Sequence, residues 1–250
     1  MGLFDNLFRS KNAGVVNTAP TTQNVEPTMT IDMSKHSENL NTVLIDMSKS
    51  GKTNMAKHTA RVALAMDYSG SMSGMFRNGA VQDVVTRLLP IALKFDDNGE
   101  LESWLFSEGQ EQLEAVTAFN YVGYVKNVMM NARMHMGGTN YAPVLKDIVK
   151  YYKSRSNNVP AFVMFITDGD NWDESATNAI IRELSNYNMF VQFVGIGNGS
   201  SFSYLKELDN LSGRKHDNTG FIAVKDMNKM DDQQLYTEML RQYNDWLNNK

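Results

Sequence analysis

The chain has 250 residues, 24 Lys and Arg against 28 Asp and Glu, a net charge of −4 and 42% hydrophobic residues. That length suits one α/β domain with a short extension, and the mild acidity gives no bulk electrostatic reason to expect a nucleic-acid partner. The absence of cysteine excludes disulfides and thiolate metal sites and fits a reducing compartment, and no apolar run nears the ~18 residues of a membrane-spanning helix, so a cytoplasmic protein is expected.

In chain order, Leu3, Phe4, Leu7 and Phe8 share one helical face of the first eight residues. They read either as a short docking or membrane-surface anchor or as a start segment that packs on its own domain. Asn6 stands where N-myristoylation needs Ser or Thr. Residues 9–28 are rich in Asn, Thr and Pro without a period and read as a linker, so 1–28 forms one extension. In the next segment, 29–57, Ile31-Asp32-Met33-Ser34-Lys35 recurs as Ile45-Asp46-Met47-Ser48-Lys49. Ile and Met alternate with polar residues in each copy, which predicts two short strands joined by a polar loop and added to the edge of a sheet.

From 58 to 250 strand and helix patterns alternate, which predicts a doubly wound, mostly parallel six-stranded α/β sheet with helices on both faces. Arg61 to Asp67 is a near-continuous apolar run ending in an acid, the pattern of a strand buried on both faces. Val81, Val84, Val85, Leu88 and Leu89 form a helical stripe, with Pro90 kinking or shortening its end. Strands are expected at 101–106 and 112–117, and Val122, Val125, Val128 and Met129 suggest a helix. Pro143 opens a helix carrying Leu145, Ile148, Val149 and Tyr152. A fourth strand at 161–167 leads to a helix over 175–187, with Asp173 or Ser175 as its N-cap. A strand at 190–195, a helix at 202–211, a strand at 221–224 and a last helix with Leu235, Met239, Gln242 and Trp246 on one face complete the domain. The expected strand order, 3-2-1-4-5-6, places strands one and four side by side.

Both of those strands end in an acid, Asp67 and Asp168. Carboxylates brought to one sheet edge repel each other unless a cation offsets them. Asp67, Ser69 and Ser71 alternate just past strand one, with Gly70 expected to permit a tight turn. Gly137-Gly138-Thr139-Asn140 presents another hydroxyl before a helix. Oxygen donors with neither imidazole nor thiolate favour Mg²⁺ or Mn²⁺ over zinc. Tyr68, Met72, Met75 and Tyr141 read as an apolar rim.

Asp67-x-Ser69-x-Ser71, then Thr139, then Asp168, with Gly-Gly-Thr-Asn and Ile-Thr-Asp-Gly around the last two, resembles the metal-ion-dependent adhesion site of von Willebrand factor A domains. The resemblance covers roughly residues 58–248. It implies a divalent-cation-dependent protein-binding module rather than an enzyme, with Ser69 and Ser71 coordinating directly and Thr139, Asp67 and Asp168 directly or through water. It also implies a protein partner that fills an open position with an exposed Asp or Glu. Leu88-Leu89-Pro90-Ile91-Ala92, Phe95-Asp96-Asp97-Asn98-Gly99 and Trp104-Leu105-Phe106 look like the intracellular bacterial branch associated with tellurium resistance and stress response. Two alternatives stay open. One is a metal-dependent phosphoester hydrolase with Asp170 or His135 as general base; the other is a phage-encoded structural or interaction protein.

Overall fold

Because β1 (Arg61–Asp67) is apolar on both faces, it can sit only inside a sheet covered on both sides. The computed structural model, which describes residues 31–155, 158–169, 171–197, 202–227 and 229–249, places it there. The expectations for residues 1–8 and for the linker lie outside the described residues.

β2 (Glu102–Phe106) and β4 (Ala161–Thr167) flank β1 in parallel; β5 (Met189–Ile196) and β6 (Thr219–Val224) continue the sheet beyond β4. β3 (Gln110–Gln112) pairs antiparallel with β2 at the edge, giving the order β3-β2-β1-β4-β5-β6. This is the expected doubly wound α/β architecture. Only the third strand is displaced: it ends at Gln112, where the sequence pattern had placed its start. Beyond it, Val116 pairs with Leu101 as an isolated bridge.

Successive β1 side chains point to opposite faces and so divide the core in two. Val62, Leu64 and Met66 pack with α1 (Ile31–Ser50), α3 (Ala80–Phe95) and α8 (Asp232–Asn248). Ala63 and Ala65 pack with Trp104, with α5 (Ala142–Lys153) and α6 (Glu174–Leu184), and with α7 (Ser203–Asp209). α2 (Ser73–Arg77) and α4 (Tyr124–Asn127) are short. Pro90 neither ends nor shortens α3, which runs on to Phe95. The helix expected around Val122–Met129 is broken, with Gly123 in the left-handed region (φ 73°) before α4 and a 3₁₀ turn at Met129–Asn131.

The strand repeat at 31–49 is a correction: the whole segment is α1, one helix of 20 residues. Its buried side chains, Met33, Ser37, Leu40, Val43 and Leu44, recur at three- and four-residue steps and enter the same core as β1. A 14-residue repeat is close to four helical turns, so Met33 and Met47 return to one face. The short-range alternation of Ile and Met had concealed this longer period. At the first turn of α8, Asp232 fastens α1 in place. It accepts from His36 Nδ1 (2.6 Å), Asn39 Nδ2 (3.0 Å) and Arg87 Nε (2.9 Å).

Candidate metal centre

The chain leaves β1 and β4 at the same end of the sheet, where strand order reverses, and open α/β sheets form their ligand crevice at such a point. Asp67 closes β1 and is fully buried. Its Oδ1 accepts from the Ser69 backbone N–H at 2.7 Å and its Oδ2 from Thr167 Oγ1 at 2.6 Å, so both oxygens are held in orientation while each keeps a second lone pair. Ser69 Oγ lies 3.0 Å from Ser71 Oγ, and Ser71 Oγ donates to Asp168 Oδ1 at 2.8 Å. Asp67, Ser69, Ser71 and Asp168 thus form one connected polar chain, from the fully buried Asp67 to the exposed Ser71.

The loop that carries Thr139 comes to the same place through its backbone. Gly137 bridges to Ser69, Gly70 N–H donates to Gly137 O at 3.0 Å, and Asn140 N–H donates to Ser107 O at 2.8 Å at the end of β2. The Thr139 carbonyl accepts from Trp172 N–H at 3.0 Å, which ties this loop to the one after β4.

Burial, with a lesser contribution from the Asp168 charge, pushes the Asp67 carboxyl up to about 6 against the hydrogen bonds from Thr167 and Ser69. Burial likewise raises Asp168, against its bond from Ser71. Both shifts record negative charge held where water solvates it poorly, a cost that a nearby cation removes. Among the described residues no group of three or more His, Cys, Asp or Glu side chains is suited to hold a metal. The set here needs none, since two carboxylates are joined by neutral hydroxyls. Hard oxygens of this kind fit a hard divalent ion.

Several expectations about the surroundings change. Gly70 has an ordinary backbone conformation, and a Cβ there would come no nearer than 3.9 Å to another atom, so the turn does not require glycine. Gly138 is the closer fit, since a Cβ there would stand 2.5 Å from the Trp172 ring and would have to displace that exposed side chain. Tyr141 and Met72 are fully buried and Tyr68 nearly so, which leaves only Met75 of the expected rim partly accessible. Tyr141 is instead a brace under the site, its hydroxyl donating to Gly169 O and lying 3.2 Å from Thr167 Oγ1. Asp173 sits at the N-cap position of α6, yet its carboxylate accepts from Tyr141 N (2.9 Å) and Ala142 N (2.8 Å) at the start of α5. Of the two candidate bases, His135 is exposed on the loop before Gly137, and Asp170 lies outside the described residues.

Sequence reasoning passed over Thr167 as a strand residue, although its place directly before Asp168 was the available signal. Thr167→Val should cost about 2 kcal/mol, the scale of a buried hydrogen bond to a charged group. Urea unfolding measures this, and a change under about 0.5 kcal/mol would show that the bond contributes little.

A central parallel sheet of this order, with the loops after β1 and β4 and before α5 converging at its switch point, defines a von Willebrand factor A-type α/β domain. Residues 59–250 match the vWA-TerF-like family, described as the vWA found in the TerF C terminus, and the chain belongs to that family. It is 40% identical over 199 residues to the uncharacterized protein YcbR of Bacillus subtilis (strain 168), covering 78% of this chain and 81% of that one. Among solved structures, the fold is similar to von Willebrand factor type A from Catenulispora acidiphila (TM-score 0.53, 16% identity, 73% of this chain, 42% of that chain). It is also similar to BatB from Bacteroides thetaiotaomicron (TM-score 0.52, 15% identity, 74% of this chain, 98% of that chain). A third likeness is to the mussel byssus proximal thread matrix protein with a zinc-occupied MIDAS motif (TM-score 0.51, 14% identity, 76% of this chain, 46% of that chain). The chain thus spans less than half the length of the Catenulispora and mussel chains.

Proposed function

We propose that this domain is a divalent-cation-dependent protein-binding module. Asp67, Ser69, Ser71, Thr139 and Asp168 would hold Mg²⁺ or Mn²⁺, and a partner would engage the ion through an exposed Asp or Glu. The observation that carries the reading is the continuous polar chain from Asp67 through Ser69 and Ser71 to Asp168, built from two strands that close at one switch point. When bound, the ion would supply a positive centre able to accept one further oxygen ligand.

The residues of the chain supply the rest. Thr167 and the Ser69 amide fix the Asp67 carboxylate, Tyr141 braces the turn after β4, and Asp173 anchors the loop that carries Thr139. Partner groups of this kind, placed behind the ligands, hold a metal site in its binding geometry. The zinc-occupied motif of the mussel protein supports reading such an oxygen cluster as a cation site. Membership of the family described from the TerF C terminus supports a tellurium-resistance or stress-response setting; in this reading the domain works in the cytoplasm and acts by binding rather than turnover.

The test is capture of a partner on the immobilised full chain in Mg²⁺, repeated in excess chelator and with Asp168→Asn. The partner should be lost in both arms and after its acidic residue is replaced by the amide. A partner that stays bound in chelator would sink the reading, as would Mn²⁺-dependent phosphoesterase turnover that disappears in the Asp168→Asn variant.

A further inference from the structure

Trp172 is 77% exposed, whereas Trp104 and Trp246 are 0% and 6% exposed. A large apolar side chain left in water singly needs no explanation, but this one stands in a rigid setting beside the candidate metal centre. The Trp172 backbone N–H donates to Thr139 O at 3.0 Å. The preceding residue, Asn171, is buried and donates to Thr177 Oγ1 at 3.1 Å. The following residue, Asp173, holds the Tyr141 and Ala142 amides. The backbone carrying the indole is therefore fixed on both sides.

The ring itself lies against Gly138, one residue before Thr139, and occupies the space that a side chain there would take. The same loop also carries an acidic neighbour, since Glu108 Oε1 accepts from Gly138 N at 3.2 Å and the Glu108 side chain is exposed. The loop that carries Thr139 is thus bordered by one apolar and one negative side chain, and an acidic partner segment is repelled from the negative one.

We propose that Trp172 is the apolar anchor of the partner-binding surface, and that the partner carries a bulky apolar side chain one or two positions from its acidic residue; this rests on the metal-dependent reading above. Gly138 directly precedes Thr139 and adjacent Cα atoms are about 3.8 Å apart, so a partner segment with its acid at the ion can bring a residue one or two positions along the chain to the indole. Tryptophan is enriched among the residues that dominate binding, in part because a large side chain excludes water from the polar contact beside it. A backbone already fixed reduces the entropy lost on docking.

The probes are capped synthetic pentapeptides with a central Asp, flanked either by Ser and Gly alone or with Leu or Phe placed one or two positions before or after the Asp. They are titrated into the full-length Mg²⁺-loaded chain. The apolar-flanked peptides should bind about tenfold tighter, the scale of a substantial anchor contact. Because the other two tryptophans are buried, acrylamide-quenchable emission reports Trp172, and peptide binding should shield it. Trp172→Ala should erase the tenfold gain while Mn²⁺ affinity and the circular dichroism spectrum stay as in the parent chain. Trp172→Phe should keep most of the gain. Equal, Mg²⁺-dependent binding of both peptide classes that is unaffected by Trp172→Ala would overturn the anchor and leave the metal-dependent reading standing. If no Asp peptide binds in Mg²⁺, or binding persists in chelator, the metal-dependent reading fails and the anchor fails with it.

Discussion

Asp67→Ala is expected to abolish Mn²⁺ binding in a calorimetric titration, while Ser69→Ala weakens it by roughly tenfold, the scale of one polar contact to a charged group. The difference follows from charge. Asp67 supplies one of the two formal negative charges at the centre, and its burial keeps water from substituting for it. Ser69, buried as well, supplies only a neutral hydroxyl, so its loss removes a donor oxygen but no formal charge. The alanine variant also leaves the Ser69 amide without its acceptor and the Thr167 hydroxyl with only the longer contact to Gly169 O, so Asp67→Asn, of nearly the same shape, separates loss of charge from loss of fold. It too should lose the metal, with a near-native circular dichroism spectrum. Wild type and Asp67→Asn binding Mn²⁺ equally would remove the proposed centre.

The largest effect on stability is expected at the opposite end of the described chain from α1. Asp232→Ala should destabilise the protein by about 3 kcal/mol, the low end for removing one partner of a buried ion pair. Arg87, itself 7% exposed, would lose its carboxylate and retain only the carbonyls of Met227 and Met230. His36 and Asn39 would lose their acceptor at the same time, which frees the start of α1 from α8. Burial pushes the Asp232 carboxyl up, but bonds from His36 and Asn39 and the charges of His36 and Arg87 outweigh it and hold the group below its ordinary range. A carboxyl so lowered stabilises the fold above its unfolded titration range, and that contribution is lost as pH falls through the lower folded value. Urea unfolding at neutral pH and in acid should therefore show the gap between parent and variant narrowing in acid. Ile45→Ala, on the exposed side of the same helix, is the control and should change stability by no more than about 0.5 kcal/mol. A comparable loss for both variants would mean that α1 is held by its apolar face alone.

Much of the fold was legible before the structure. β1 and β4 announce themselves because a strand buried on both faces must be apolar at every position, so Val62 to Met66 and Phe162 to Ile166 carry an unbroken signal that ends at Asp67 and Asp168. Strand order then brings the two acids to one edge, and the hydroxyls of Ser69 and Ser71 follow along the chain. These features are local in sequence or follow from topology. The remainder is not of that kind. The Ile-Asp-Met-Ser copies satisfy a strand period over four residues and a helix period over fourteen, and only the core offered by α3 and α8 selects the helix. Asp173 looks like the cap of its own helix, yet the approach of α5 turns its carboxylate to Tyr141 and Ala142. Tyr141 and Trp172 are both aromatic residues beside the site, one fully buried as a brace and the other exposed against Gly138. Composition and spacing cannot separate such a pair, because burial is set by which chain segments close over a side chain, and that is decided only when the loops after β1 and β4 and before α5 meet.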